Sequence, residues 1–107
     1  MRQIERDMNR AIRHRKNMSK QNTSVRCYRE EIEVRLHGNL IGTVDTASNQ
    51  LRIFDGGWQT VTTKSRLNAL MEEFAPCMGV FQKNWEWFVS DRLTGTVVPF
   101  SSGMTVS

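Results

Sequence analysis

The residues with the clearest chemical potential in this chain are seven cations near its N-terminus, which could bind phosphate groups. They are Arg2, Arg6, Arg10, Arg13, Arg15, Lys16 and Lys20. The four from Arg2 to Arg13 recur at steps of three or four residues, so a helix would present them on one side. Before Asn22, only Glu5 and Asp7 oppose these cations. Such an excess of one sign is typical of a phosphate-backbone contact, and we predict that this face binds nucleic acid or another acidic partner; a solvated helix face is the alternative.

A second candidate is an anion site at the start of a later helix. Its predicted members are Thr62, Thr63, Lys64, Ser65 and Arg66. Lys64 and Arg66 fall in the first turn, where the helix dipole disfavours cations unless an anion binds. Glu72 and Glu73 near the other end complete a helix charged against its dipole. The alternative is a pair of solvated charges beside a capping threonine, since the segment lacks the Gly-Lys-Ser/Thr of a phosphate loop.

The tryptophans raise the question of base stacking, because single-stranded nucleic-acid binders combine basic grooves with exposed aromatic rings. Trp58 follows a glycine-rich bend, so we predict that its ring is exposed. Trp85 and Trp87 share one face of a predicted strand with Val89, which is typical of core residues.

Residue types that support catalysis are poorly arranged. His14 and His37 have no cysteine, serine or carboxylate partner at a meaningful spacing, and Cys27 and Cys77 form no C-x-x-C motif. We therefore predict a protein that is not an enzyme and that holds no metal or cofactor. The spacing does not decide whether the two cysteines form a disulfide.

Length and composition indicate one globular domain, residues 1–107. The chain is 38% hydrophobic and 24% charged, with a net charge of +4. Residues 1–26 contain eight basic and two acidic side chains, a net charge of +6, so the basicity belongs to one end. Without an apolar run near the roughly 18 residues of a membrane span, we expect no membrane association and a reduced, cytoplasmic location.

Hydrophobic periodicity predicts the elements that hold these residues. Residues 1–20 are interpreted as a basic amphipathic helix, periodic from residue 3 to about 16, whose apolar stripe could also mediate homo-oligomer contacts. The stripe contains Ile4, Met8, Ala11 and Ile12. Asn17–Ser24 is interpreted as a polar linker, followed by an α+β core over residues 25–107.

Within that core, alternation at 31–36 predicts a half-buried strand, and further strands are expected around residues 25–27, 40–44 and 50–54. A helix is predicted from about Thr63 to Phe74, before Pro76. Residues 78–91 are interpreted as two strands that turn at Lys83–Asn84, and Pro99 belongs at a sheet edge. The predicted fold is α+β, a small antiparallel sheet of five to six strands with two amphipathic helices in the order α-βββ-α-βββ.

Three sequence blocks carry a resemblance to known proteins: LHGNLI at 36–41, DGGWQTVTTKSRLNAL at 55–70 and FQKNWEWFV at 81–89. Over roughly residues 30–100 the chain resembles small uncharacterised proteins encoded by tailed bacteriophages. The resemblance implies an early or accessory phage protein that acts in the cytoplasm of the infected host cell.

The leading functional prediction is nucleic-acid binding, mainly through electrostatic contacts with the phosphate backbone. One alternative is a host-protein inhibitor or adaptor that docks an acidic surface through the basic helix. Another is a virion or assembly component.

Overall fold

In the computed structural model, which describes residues 1–106, a helix precedes five strands and a second helix precedes four. The elements are α1 Gln3–Arg13, β1 Met18–Lys20, β2 Thr23–Cys27, β3 Glu31–Leu36, β4 Asn39–Asp45, β5 Leu51–Ile53, α2 Val61–Phe74, β6 Met78–Lys83, β7 Glu86–Asp91, β8 Thr96–Pro99 and β9 Met104–Thr105. The α+β class and the alternation of helix and strands are confirmed. The described residues form nine strands, however, and these divide between two sheets.

The main sheet has six antiparallel strands in the order β1-β2-β3-β4-β5-β9. In β3 the predicted alternation holds, because Ile32, Val34 and Leu36 are buried while their neighbours are half-exposed. Val34 lies opposite the buried Val25 of β2. One face of the sheet is therefore apolar and needs a cover.

The two helices supply that cover, and they run parallel to each other. Three of the polar contacts between them join residues 60 positions apart: Glu5 with Ser65, Asn9 with the Ala69 carbonyl, and Arg13 with Glu73. We call this set the helix ladder. Because its contacts recur every four residues, one face of α1 faces one face of α2 along the length of both.

The second sheet contains β6, β7 and β8, all antiparallel, and it packs against α2. The side chain of Asn68 in α2 bonds the backbone of Val80 twice, at 2.8 and 3.0 Å. Trp87 is buried beside Phe100, with ring centroids 5.4 Å apart. Helix α2 thus contacts both sheets, which explains why so much of its surface is buried.

The predicted polar linker at Asn17–Ser24 is wrong. Residues 18–20 form β1 and residue 23 begins β2, while α1 ends at Arg13 and not near residue 20. The strand was hidden because β1 is an edge strand whose side chains are half-buried or exposed. It has one apolar cross-strand pair, Met18 opposite Val25, and this gives no alternating pattern.

The prediction that Trp85 faces the core is also wrong. The β6–β7 turn lies at Asn84–Trp85, one residue later than predicted, and both residues have positive φ, 51° and 67°. His37 and Gly38 make the same kind of two-residue turn between β3 and β4, with φ of 51° and 79°. In that turn Trp85 is 90% exposed, whereas Trp87 is 4% exposed as predicted.

Candidate nucleic-acid interface

Helix α1 presents its arginines to solvent along one side. Arg2, Arg6, Arg10 and Arg13 are all exposed and fall within an arc of roughly 80° at 100° per residue. The opposite side packs into the core through Met8, Ala11 and Ile12. Glu5 in the first turn and the arginines in the last turn interact favourably with the helix dipole. These interactions stabilise this short helix.

Three of the seven predicted cations are engaged within the protein. Arg13 pairs with Glu73 at 2.7 Å and Lys20 with Asp7 at 2.6 Å. Arg15 donates to the Thr46 carbonyl at 2.9 Å.

The other four cations have no acidic partner at salt-bridge distance among residues 1–106. They are Arg2, Arg6, Arg10 and Lys16. We call these four residues the free basic face. Their charges are available to an external anion.

A groove of about 540 Å³ lies beside this face, between α1 and β1. Ala11 and Met18 line it, and Arg10, His14 and Lys16 stand around it. Asp7 also lines the groove, but its charge is offset by Lys20. The hydrogen bond from Lys20, supported by one from Gln3, holds the pKa of Asp7 below its usual range. The groove therefore carries excess positive charge.

The predicted anion site at the start of α2 does not assemble as expected. Helix α2 begins at Val61 with Thr60 as its N-cap, so Arg66 lies in the second turn. The Arg66 guanidinium bonds Glu5 at 2.8 Å, and Ser65 donates to the same carboxylate oxygen at 2.6 Å. Ser65 and Arg66 are therefore not available to an external anion. Burial and pairing overturn this part of the prediction.

The remaining members of that site lie at the helix start. Thr63 is buried, and its N–H donates to the Thr60 hydroxyl at 3.1 Å. Thr62 and Lys64 are half-exposed. Lys64 is thus the one cation of the predicted set that still reaches solvent.

Arg66 belongs to a buried polar cluster that the sequence analysis missed. Its Nε donates to the Thr23 hydroxyl at 3.0 Å and its Nη2 to Asn22 Oδ1 at 3.3 Å. Glu5 also accepts from the Arg2 backbone N–H at 3.1 Å. A signal was present, because Arg66 lies four residues before Leu70 on the apolar face of α2. We call Glu5, Asn22, Thr23, Ser65 and Arg66 the buried cluster.

A cleft of about 390 Å³ lies between the β3–β4 turn and the segment that leads into α2. We call it the Trp58 cleft, because the indole of Trp58 lines it and is 70% exposed, as predicted. Gly56 also lines the cleft with φ +69°, and a Cβ there would lie 3.1 Å from the Asn39 Cβ and 3.3 Å from the Ile41 Cγ2. Glycine lets the chain pass this close to β4.

Comparison with protein families identifies the chain over its whole length. Residues 1–107 match the family described as Kyanoviridae Gp96 protein. The chain belongs to this family. The Gp96 family is a family of phage proteins, so the predicted phage origin is confirmed and extends beyond residues 30–100 to the entire chain. Comparisons with curated proteins and with solved structures gave no match.

The two cysteines of this Gp96 family chain lie in β2 and in the turn before β6, and they do not pair with each other. Cys27 and Cys77 are both free thiols, and burial raises the pKa of the Cys27 thiol despite the nearby Arg15 charge. Among residues 1–106, no three His, Cys, Asp or Glu side chains are grouped closely enough to hold a metal ion. Neither helix in this range has the length and apolar character to cross a membrane.

Proposed function

We propose that this phage protein binds nucleic acid through electrostatic contacts with the phosphate backbone, in the cytoplasm of the infected host cell. The observation that carries the proposal is the free basic face. Arg2, Arg6 and Arg10 follow one another at intervals of four residues, about 6 Å along the helix axis. Lys16 adds a fourth charge beside the groove.

Binding of this kind draws its free energy from the release of counterions and reads little sequence. The arginines lie on a helix that packs against the sheet through buried residues, so their backbone is held in place before binding. Arginine also contacts phosphate oxygens in a bidentate manner. We therefore expect a steep dependence on salt and a weak dependence on base sequence.

The test is a salt titration of binding to a labelled 30-base-pair DNA and to a matching single strand. The wild type is compared with the triple variant Arg2→Gln/Arg6→Gln/Arg10→Gln. Each lost phosphate contact makes the slope of log K against log salt shallower by about 0.9 on duplex or about 0.7 on a single strand. We expect the triple variant to bind more weakly and to lose roughly two to three units of slope on duplex.

A matched control removes the same net charge elsewhere, with Arg26→Gln/Arg29→Gln/Lys83→Gln. These three cations are exposed and, among residues 1–106, have no acidic partner at salt-bridge distance. If both triple variants lose equal affinity, net charge and not the free basic face determines binding. If the wild type binds neither nucleic acid at 50 mM salt, the proposal is wrong.

The groove between α1 and β1 favours a second candidate function, docking on an acidic host protein. Its apolar residues Ala11 and Met18 could receive a side chain, while the surrounding cations attract acidic residues. A stoichiometric partner retained from a nuclease-treated host lysate, and lost in the Arg2/Arg6/Arg10 variant, would favour this function over nucleic-acid binding.

The third candidate is a virion or assembly component. Two features suggested it, the apolar stripe of α1 and the sheet edge near Pro99, and the structure removes the first. The α1 stripe predicted to mediate oligomer contacts is buried within the chain itself, with Met8 at 0% and Ile12 at 3% exposure. The other support is β8, whose four residues are all exposed. Sedimentation as a monomer at high protein concentration would remove this candidate.

A further inference from the structure

We propose that the Trp58 cleft receives one unpaired nucleobase, so that the nucleic acid bound by this protein is single-stranded. This inference rests on the proposed function and specifies its partner. It depends on three observations: the exposed ring of Trp58 on an anchored backbone, the residues that line the cleft, and the position of the cleft relative to the free basic face.

The backbone of Trp58 is fixed although its ring is exposed. The Trp58 N–H donates to the Asp55 carbonyl at 3.2 Å, and the Gly57 N–H donates to the Asp55 carboxylate at 2.8 Å. The Ser102 hydroxyl accepts from the Asp55 N–H at 3.2 Å, which ties this turn to the segment before β9. An anchored turn that holds a 70% exposed indole provides a stacking surface at low entropic cost.

The chemistry of the cleft favours a base over a phosphate. Ile41 contributes an apolar residue to its lining, while His37, Asn39 and Thr62 contribute polar ones. Asp55 lines the same cleft, and its negative charge would repel a phosphate group. A base instead offers N–H groups for Asp55 and Asn39 and a flat surface for Trp58. The volume, about 390 Å³, lies near the small end of the ligand-site range.

The cleft and the start of α1 lie at the same end of the molecule. From the cleft, the His37 N–H donates to the Asn22 carbonyl at 2.7 Å, and Asn22 Oδ1 accepts from Arg66. Arg66 pairs with Glu5, which accepts from the Arg2 backbone. These contacts connect the cleft to Arg2 through the buried cluster. A strand whose phosphates contact the start of the free basic face, at Arg2, can thus place a base against Trp58.

A base in a duplex is paired and stacked, and its removal from the stack costs free energy that an unpaired base does not require. The cleft therefore discriminates in favour of single strands. The free basic face by itself would contact the backbone of either form.

The experiment measures binding of three labelled probes at fixed salt: a 12-nucleotide single strand, the corresponding duplex, and a 12-residue abasic strand with the same phosphates. The proteins are the wild type, Trp58→Ala, and Trp85→Ala as the control for loss of an exposed tryptophan. We expect Trp58→Ala to weaken single-strand binding about tenfold, within the range for loss of one stacked base. Duplex binding should stay unchanged, and Trp85→Ala should behave as wild type.

The abasic strand separates base recognition from phosphate recognition. Wild type should bind it about as weakly as Trp58→Ala binds the normal strand, and Trp58→Ala should not distinguish the two strands. Equal losses of single-strand and duplex affinity in Trp58→Ala, or tight binding of the abasic strand by wild type, would overturn the inference while leaving backbone binding intact. Failure of every probe to bind would overturn both the inference and the proposed function. A thermal melt of each variant excludes unfolding as the cause of any loss.

Discussion

Glu5 and Arg66 form an ion pair that is almost fully removed from water, since each side chain is 3% exposed. The charges remain tolerable because every side of the pair is hydrogen-bonded. Ser65 and the Arg2 backbone donate to Glu5, while Thr23 and Asn22 accept from Arg66. The pair joins α1, α2 and the β1–β2 hairpin at one point. Its removal from water is costly, so it specifies how these elements meet more than it adds to stability.

Loss of one member of this pair should therefore be far more harmful than loss of both. Arg66→Met leaves the Glu5 carboxylate buried without its partner, and we expect the free energy of unfolding to fall by about 3 to 5 kcal/mol. The double variant Glu5→Leu/Arg66→Met should recover much of that loss, because it leaves no isolated charge. Urea denaturation of Arg66→Met, Glu5→Leu and the double variant measures the coupling free energy between the two residues. Additive losses would show that the pair is not the source of the effect.

Trp85 is the residue whose backbone conformation fits its type least well. A bulky side chain at φ +67° is strained, and glycine occupies the equivalent second turn position at residue 38. We expect Trp85→Gly to raise the free energy of unfolding by about 1 kcal/mol, after allowance for the extra entropy of glycine in the unfolded chain. Because the ring is 90% exposed, little packing is lost. The midpoint of urea denaturation, at constant m-value, measures the gain.

The reverse change at the other turn is the control. A Cβ on Gly38 would meet nothing within 4 Å, so Gly38→Ala changes backbone strain without a steric clash. It should destabilise the protein by about 1 kcal/mol. If Trp85→Gly lowers stability, Trp85 makes a contact that offsets its strain.

At the scale of elements, the two ion pairs between the helices explain part of the charge pattern of α2, which runs against its dipole. Glu5 in the first turn of α1 neutralises Arg66, and Arg13 in the last turn of α1 neutralises Glu73. Helix α1 is charged in the favourable direction, so its parallel placement brings opposite charges together at both ends. For Arg66 and Glu73, the reversed charges of α2 are thus the complement of the neighbouring helix, and an external anion is not needed to account for these two residues.

The attachment of β1 to α1 depends on pH through Asp7. Lys20 and Gln3 hold the pKa of Asp7 below its unfolded value, so the ionised carboxylate stabilises the fold above about pH 4. That contribution should be lost as the pH falls through the lowered pKa. The Asp7→Asn variant should show a flatter loss of stability between pH 5 and pH 3 in urea denaturation. Added salt should shrink the difference, because the pair is near the surface.

The pKa of Asp45 is also lowered, so its effect on stability at acid pH must be measured separately from that of Asp7. The backbone N–H groups of Ser48 and Ala47 lower its pKa. Asp45→Asn should also reduce the loss of stability between pH 5 and pH 3. Salt should change this effect less, since the partners of Asp45 are backbone donors. Identical salt responses in the two variants would contradict the assignment of the Asp7 effect to Lys20.

The sequence predicted those elements in which one face is apolar and the other polar. Strand β3 alternates cleanly, and α2 shows Leu67, Leu70 and Met71 at helical spacing. Strand β1 could not be predicted, because an edge strand needs no apolar pattern. The burial and pairing of Arg66 could not be predicted either, since its partner Glu5 is 61 residues away in the sequence. For the candidate site, the exposure of the α1 arginines followed from periodicity, whereas their internal pairing depended on tertiary contacts.

At the scale of the whole molecule, the charged N-terminal segment and the segment containing Trp58 are distant in sequence but adjacent in the fold. The helix ladder places the starts of α1 and α2 side by side, and the buried cluster fills the space between them. One end of the protein therefore combines Arg2, the first cation of the free basic face, with an exposed indole and a cleft. The proposed single-strand binding depends on this convergence, because neither segment could supply both backbone contacts and stacking.

Strand β9 and helix α2 also determine when the elements that precede them can complete their packing during synthesis. Helix α1 is made before α2, and Glu5 meets Arg66 only after about 60 more residues, which at roughly 5 to 20 residues per second takes about 3 to 12 s. The main sheet can be completed only later, after residue 106 has been made, since the buried Val106 donates its N–H to the Leu51 carbonyl. On the ribosome, the nascent chain therefore carries an incompletely covered apolar stripe on α1, and a file of arginines beside ribosomal RNA, until α2 has been made.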